Sequence, residues 1–331
     1  MRLGTAQLPI RVPGNLAQHL RVGTRMTAAA LSLPMPLQRR LERESASLFA
    51  GDGMPHIDFS RPAGEPALAA ADSVSWRVFK NPVSLFIGGV AAVLLELGEP
   101  RVRSGVWEHS SFRSDPVTRL RRTGLAAMVT VYAPASVAEA MIAGVGRQHA
   151  RVRGTTREGH AYAAMDPELL DWVQATASYG FLMAYHRFVQ PLDAAERDRF
   201  WREAQPGARL FGATGTADSE AGWDAMLEAM LPKLRAAPEI REFLTIMRDA
   251  PAFPRALRPM QRLLLRAAVD LLPASAREVL ELGPEAGLPR GGARLVRAAG
   301  MGADRLVIRS APPAQACRRM GLPAEWLYRA A

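Results

Sequence analysis

Apolar residues recur along most of the chain at intervals of three and four, and short runs alternating apolar with polar are nearly absent. The first spacing stacks side chains on one face of a helix, whereas alternation would line one face of a strand. The pattern therefore predicts helices and no substantial sheet. Asp115-Pro116 is a strong helix start, with an acidic or hydroxyl cap (Asp115 or Ser114) and proline at the first helical position. That helix should run to Tyr132 and end before Pro134. A second is predicted from Ser136 to about Arg153, with Gly154 as its stop, and a third from Asp166-Pro167 to Pro191. Asp193 caps "AAERDRFWREA", and further helices are predicted at 219–236, 238–250, 256–271 and 312–320. The stretch 52–75, rich in Pro, Gly, Asp and Ser, reads as a long loop, and the segment after Gly283 as a looser tail. The expected fold is all-α, a single multi-helix domain. It divides into a basic N-terminal extension and loop (1–70), the helical domain (71–282) and a C-terminal tail packed on it (283–331).

Composition narrows the class. A chain of 331 residues with 48% apolar and 22% charged residues is ordinary globular material, long enough to bury a core unaided. Cys317 is the single cysteine, which excludes an internal disulfide framework and a cysteine-rich zinc site and fits a reducing, cytoplasmic setting. The run "PVSLFIGGVAAVLLELG" from Pro82 is stopped by Glu96 and reads as a buried helix rather than a membrane span. The formal charge of +10 is almost all arginine, since Lys80 and Lys233 are the only lysines. Read as scattered and without interleaved aromatics, these arginines do not predict a nucleic-acid partner. The first 41 residues hold six arginines and no acid, and no signal peptide is read there. A peripheral membrane contact through this basic N-terminus is the partner that charge leaves open.

The chemistry-bearing motifs thin out quickly. None of His19, His56, His109, His149, His160 and His186 sits in Glu-x-x-His or His-x-x-Glu, so a di-iron helical site lacks its signature. Phosphate-cradling, dinucleotide-binding and nucleophile-elbow motifs are missing as well. His149 is the exception worth following. It lies in "VGRQHARVRG", yet Val137, Met141, Val145 and His149 share one helix face while Arg147 and Arg151 point elsewhere. This pattern admits a satisfied core histidine or a neutral imidazole offered to a metal, and alone favours the first. On the preceding helix Arg119, Arg122 and Thr123 fall at i, i+3 and i+4. Two guanidinium groups and a hydroxyl together suit a carboxylate, and equally make an ordinary surface ladder.

Three stretches, "SGVWEHSSFRSDPVTRLRRT", "RQHARVRG…YAAMDPELLDWV" and "YHRFVQPLDAAERDRFWREAQPGARLFG", resemble in the same order the MpaB-type oxygenases, whose best-understood relatives are the latex-clearing proteins (rubber oxygenases). The resemblance spans 70–280. It implies a globin-reminiscent helical core holding haem b, with His149 as the iron ligand. It further implies that Arg119, Arg122 and Thr123 stand on the distal side and bind the cofactor or act in catalysis, with O2 and a small apolar substrate, isoprenoid or lipid, as the reactants. An upstream glutamate is the implied catalytic base: Glu108 is the candidate, with Glu96 or Glu99 as substitutes. Two departures stand out. The family's lysine is Arg122 here, which has no lone pair to offer iron. Members often carry histidine where this chain has Gln174, leaving His109 and His186 as fallback imidazoles. A cofactor-free helical protein binding a lipid or a partner through the same pocket is the alternative these departures favour.

Overall fold

The computed structural model describes residues 30–31, 34–48 and 54–328, and most of the basic N-terminal segment falls outside them. The described residues form fourteen α-helices and one small hairpin. The first six helices are α1 (Met35–Leu48), α2 (Val74–Phe79), α3 (Pro82–Gly98), α4 (Pro100–His109), α5 (Pro116–Tyr132) and α6 (Ala135–His149). Strands β1 (Arg153–Thr155) and β2 (Ala161–Ala163) pair antiparallel, Arg153 against Ala163. Helices α7 (Pro167–Phe188), α8 (Ala194–Leu210), α9 (Glu220–Met230), α10 (Pro238–Asp249) and α11 (Arg258–Leu271) follow. The last are α12 (Ala274–Val279), α13 (Gly292–Ala303) and α14 (Pro312–Arg319). The chain is all-α.

At the centre α3 and α7 cross in direct backbone contact. A β-carbon on Gly88 would stand 2.6 Å from the carbonyl oxygen of Gly180, and one on Gly180 would meet the Gly88 carbonyl in turn. Only two glycines allow this approach. The helix α3 is apolar on nearly every side, with Ile87, Val90, Ala91, Leu94 and Leu95 buried, because α7, α11 and α13 all pack against it. Asn81 starts it by accepting hydrogen bonds from the Val83 and Ser84 amides, with Pro82 at the first position. Trp172, Trp201 and Trp223 stack beside the crossing and fill the space toward α8 and α9.

The cap signals place α5 and α7 as the sequence predicts: Asp115 caps α5 through the Thr118 amide, and Asp166 caps α7 through the Glu168 amide. Three elements differ; the helix expected over 219–236 ends as α9 at Met230, followed by a 3-10 turn over Leu231–Lys233. The helix α6 ends at His149, four residues before the expected Arg153, because the chain after it turns into the hairpin. There the Tyr162 ring lies against Gly154, where a β-carbon would come within 2.6 Å of the phenol oxygen. The segment after Gly283 is more regular than a loose tail, since α13 packs on α3 and α7. The buried Arg319 donates to the carbonyls of Phe59, Glu65 and Tyr132, and so ties α14 to the 54–73 loop and the end of α5.

Substituting Gly88→Ala forces a methyl group into the α7 backbone, which no side-chain rotation relieves. We expect a loss of about 1–3 kcal/mol of stability, read as a lower thermal midpoint, whereas Gly89→Ala, whose β-carbon meets only the Phe181 ring at 3.8 Å, should change little.

Candidate functional site

The crossing sets the position of a carboxylate. Glu96 is the one charged residue in α3, two turns beyond Gly88, and Thr176 stands opposite it one turn before Gly180 on the antiparallel α7. The Thr176 hydroxyl, fully buried, lies 3.3 Å from Glu96 Oε1 and 2.9 Å from the Val173 carbonyl. Protein surrounds Glu96 closely, yet an edge of the side chain stays accessible. Burial pushes its carboxyl up to about 7, against the opposing pull of the Thr176 hydrogen bond and the Arg119 charge. At neutral pH this group is poised between its two protonation states.

Arg119 comes from the first turns of α5, placed by the Asp115 cap and Pro116. Its guanidinium is largely withdrawn from water, and among the described residues no carboxylate comes within ion-pair distance of it. Burial lowers its proton affinity, the Glu96 charge raises it, and Arg122 lowers it further, although a guanidinium stays protonated throughout. His149, the last residue of α6, lies within reach of the same guanidinium. Burial first, and the Arg119 charge second, lower the imidazole below its ordinary range. The ring is therefore neutral at pH 7, with a lone pair available. Glu96, Arg119 and His149 thus form one electrostatic group from three helices.

The walls beside this group are apolar and incompletely covered. Val137, Met141, Val145 and His149, the stripe predicted from spacing, are all half-buried, and Ala138 and Ile142 next to them carry the fully buried contacts of α6. On α5, Leu120 and Gly124 are likewise half-buried. At Gly124 and Gly146 a β-carbon would meet no atom within 4 Å. The described residues hold no group of three or more His, Cys, Asp or Glu side chains able to cage a metal ion. What they offer is one neutral imidazole, one guanidinium with free donors, half-buried apolar side chains, and room at Gly124 and Gly146. That set suits a flat, apolar, anion-bearing prosthetic group needing a single protein ligand to its iron.

The other candidates are exposed beside this group or bonded to other parts of the fold. Arg122 and Thr123 are exposed, and the Thr123 hydroxyl donates to the Arg119 carbonyl of its own helix at 3.0 Å. Glu108 accepts from the Tyr162 hydroxyl at 2.9 Å, and His109 Nε2 meets that hydroxyl at 3.1 Å, so both serve the hairpin. Glu99 caps α4 through the Val102 amide and pairs with Arg101. His186 Nδ1 accepts from the Leu192 amide at 2.9 Å, and Gln174 is half-buried on α7. Of the three glutamates weighed from sequence, Glu96 is the one beside Arg119. Its signal was a lone acid in an otherwise apolar helix. Thr176 carried no signal, because a hydroxyl in a helix is ordinary.

A carboxyl raised above its unfolded value is destabilising once ionised. Glu96 therefore costs stability as pH climbs from about 4.5 to about 7, the full cost being present above that window. We expect Glu96→Gln to gain thermal stability over the parent at pH 8 and to lose that advantage at pH 5. Equal midpoint differences at the two pH values would contradict the burial.

No curated protein and no solved structure matches the chain. A family model does: that of the catalytic domain described as "ER-bound oxygenase mpaB/B'/Rubber oxygenase", over residues 76–301. This span runs from α2 to α13 and takes in Glu96, Arg119, His149 and Thr176. The protein therefore belongs to the MpaB/rubber oxygenase catalytic-domain family, a family of oxygenases.

Proposed function

We propose that the protein is a haem b-dependent oxygenase acting on an apolar substrate, an isoprenoid or lipid. The observation that carries this reading is that the Arg119 charge acts on both Glu96 and His149, beside half-buried apolar faces of α5 and α6, within an oxygenase-family domain. Bound haem would supply O2 binding and oxygen activation, chemistry that protein side chains lack.

Each residue then has a physical task. His149 would hold the iron: burial and Arg119 keep its imidazole neutral, the state a metal requires. Arg119 has five donors and no paired carboxylate, so it can hold a haem propionate or an oxygen atom that gains negative charge during reaction. Glu96, with its carboxyl near 7, is suited to take a proton from the substrate at Oε and return it within one cycle. Thr176 fixes the carboxyl that does so. The apolar faces of α5 and α6 exclude water and give an apolar chain its contact area. Arg122, exposed and always protonated, has no lone pair to offer and would not serve as a ligand to bound haem.

Purification with haem supplied should give a Soret band and one iron per chain. His149→Ala should lose both. Glu96→Gln should keep the band and lose at least 100-fold in turnover. Colourless protein that takes up no haem, or a His149→Ala variant with an unaltered spectrum, would overturn the reading in favour of a cofactor-free lipid- or partner-binding protein.

A further inference from the structure

The basic excess of the chain is not spread evenly. Residues 113–157 hold eight arginines against two acids, and residues 1–41 hold six arginines and no acid; the remainder carries a small net negative charge. The first of these segments is α5, α6 and the start of the hairpin. Since α5 and α6 run antiparallel about the Ala133-Pro134 turn, their far ends lie together, the ends that bear Arg119 and His149.

The eight arginines sort cleanly. Arg119 belongs to the candidate site. Arg113 pairs with Glu242 and Arg157 with Glu239. The remaining five, Arg121, Arg122, Arg147, Arg151 and Arg153, make no ion pair with a described residue, and all but the half-buried Arg121 are exposed. Of the two acids in the segment, Asp115 accepts from the Thr118 amide as the α5 cap and feels the Arg122 and Arg121 charges without an ion-pair contact, and Glu139 lies in the α6 half nearer the turn. Elsewhere on the surface arginines find carboxylates, as in Arg77–Glu196, Arg101–Glu168 and Arg197–Glu220. Five guanidinium groups without an ion pair, with one capping carboxylate near two of them, leave this end of the helix pair strongly positive and suited to an external polyanion.

The chemistry of that polyanion follows from what accompanies the charge. The only aromatic residue in 113–157 is Tyr132, which is buried and donates to the Trp76 carbonyl, so bases would find nothing to stack on. Apolar side chains are present instead. Met165, just beyond the strand that pairs with Arg153, is 40% exposed, and Leu210 on α8 is 42% exposed. Met165 reaches Gly212, two residues from Leu210. Guanidinium groups flanked by exposed aliphatic side chains match a bilayer surface, where headgroup phosphates and acyl chains lie side by side.

We infer that the far end of the α5–α6 pair, with Arg121, Arg147, Arg151 and Arg153, docks on an anionic lipid bilayer. Docking would turn the partly open site toward the lipid, so that an apolar substrate passes in without crossing water. This delivery role rests on the oxygenase reading; the docking itself does not.

The test is co-flotation of the full chain with phosphatidylcholine vesicles containing about 30 mol% phosphatidylserine, against pure phosphatidylcholine. Binding should require the anionic lipid and fall steeply with added salt. The combined Arg121→Gln, Arg147→Gln and Arg151→Gln variant should bind roughly 100-fold more weakly, about fivefold for each guanidinium, with its thermal midpoint and haem uptake unchanged. The single charge reversal Arg147→Glu reports on the same surface if the triple variant folds poorly. Neutralising Arg2, Arg11, Arg21 and Arg25 instead should leave most of the binding in place. Indifference to anionic lipid, undiminished binding by the α5–α6 variants, or displacement of the vesicles by equimolar duplex DNA would each overturn the proposal. Loss of vesicle binding with haem uptake intact, or the reverse, tells its failure apart from failure of the oxygenase reading.

Discussion

The touching backbones of α3 and α7 at Gly88 and Gly180 govern the rest of the molecule. Two helices this close exclude side chains from between them and leave little freedom to slide. The relative height of every other residue on the pair is then fixed, including that of Glu96 and Thr176 two turns and one turn away. The crossing also explains why α3 is apolar almost all round. With α7 on one side and α11 and α13 on others, only the half-buried line Phe86, Gly89, Val93 and Glu96 keeps access to water beyond the first turn, and the single acid stands at its end.

Around that acid the charges form a chain rather than a set of pairs. The Arg119 charge acts on both Glu96 and His149, lowering the proton affinity of the carboxyl and of the imidazole. Burial acts on the two in opposite senses, raising the acid and lowering the base. The result at neutral pH is a poised carboxyl, a fixed cation and a neutral ring, the set of groups that the proposed reaction would use. A buried guanidinium without a paired carboxylate is costly on its own, and an anionic group of a bound cofactor would relieve that cost.

Local signals carried most of this into the sequence. Aspartate-proline starts mark α5 and α7, and a period of 3.6 puts His149 on the face with Val137, Met141 and Val145. The end of α6 was not legible, because the hairpin after it depends on Tyr162 packing against Gly154 and on its bond to Glu108, the latter made across 54 residues. For the same reason Glu108 read as a candidate base: its motif is local, and its partner is not. Glu96 was visible as an anomaly in an apolar run, but only the antiparallel crossing brings it to Thr176 and Arg119. Arg122 and Thr123 share a helix face with Arg119 by spacing, yet only Arg119 is drawn inward. The arginine excess of 113–157 is already present in the sequence, and the antiparallel α5–α6 pair brings its two ends together.

The claim on which this account turns is that Glu96, Arg119 and His149 act as one electrostatic unit. Its most direct test is the Glu96 carboxyl titration, followed by carbon-13 NMR in the parent protein and in Arg119→Gln. The account predicts a midpoint near 7 in the parent, shifted upward when the guanidinium charge is removed. An ordinary carboxylate midpoint in the parent, or one that Arg119→Gln leaves unmoved, would contradict it.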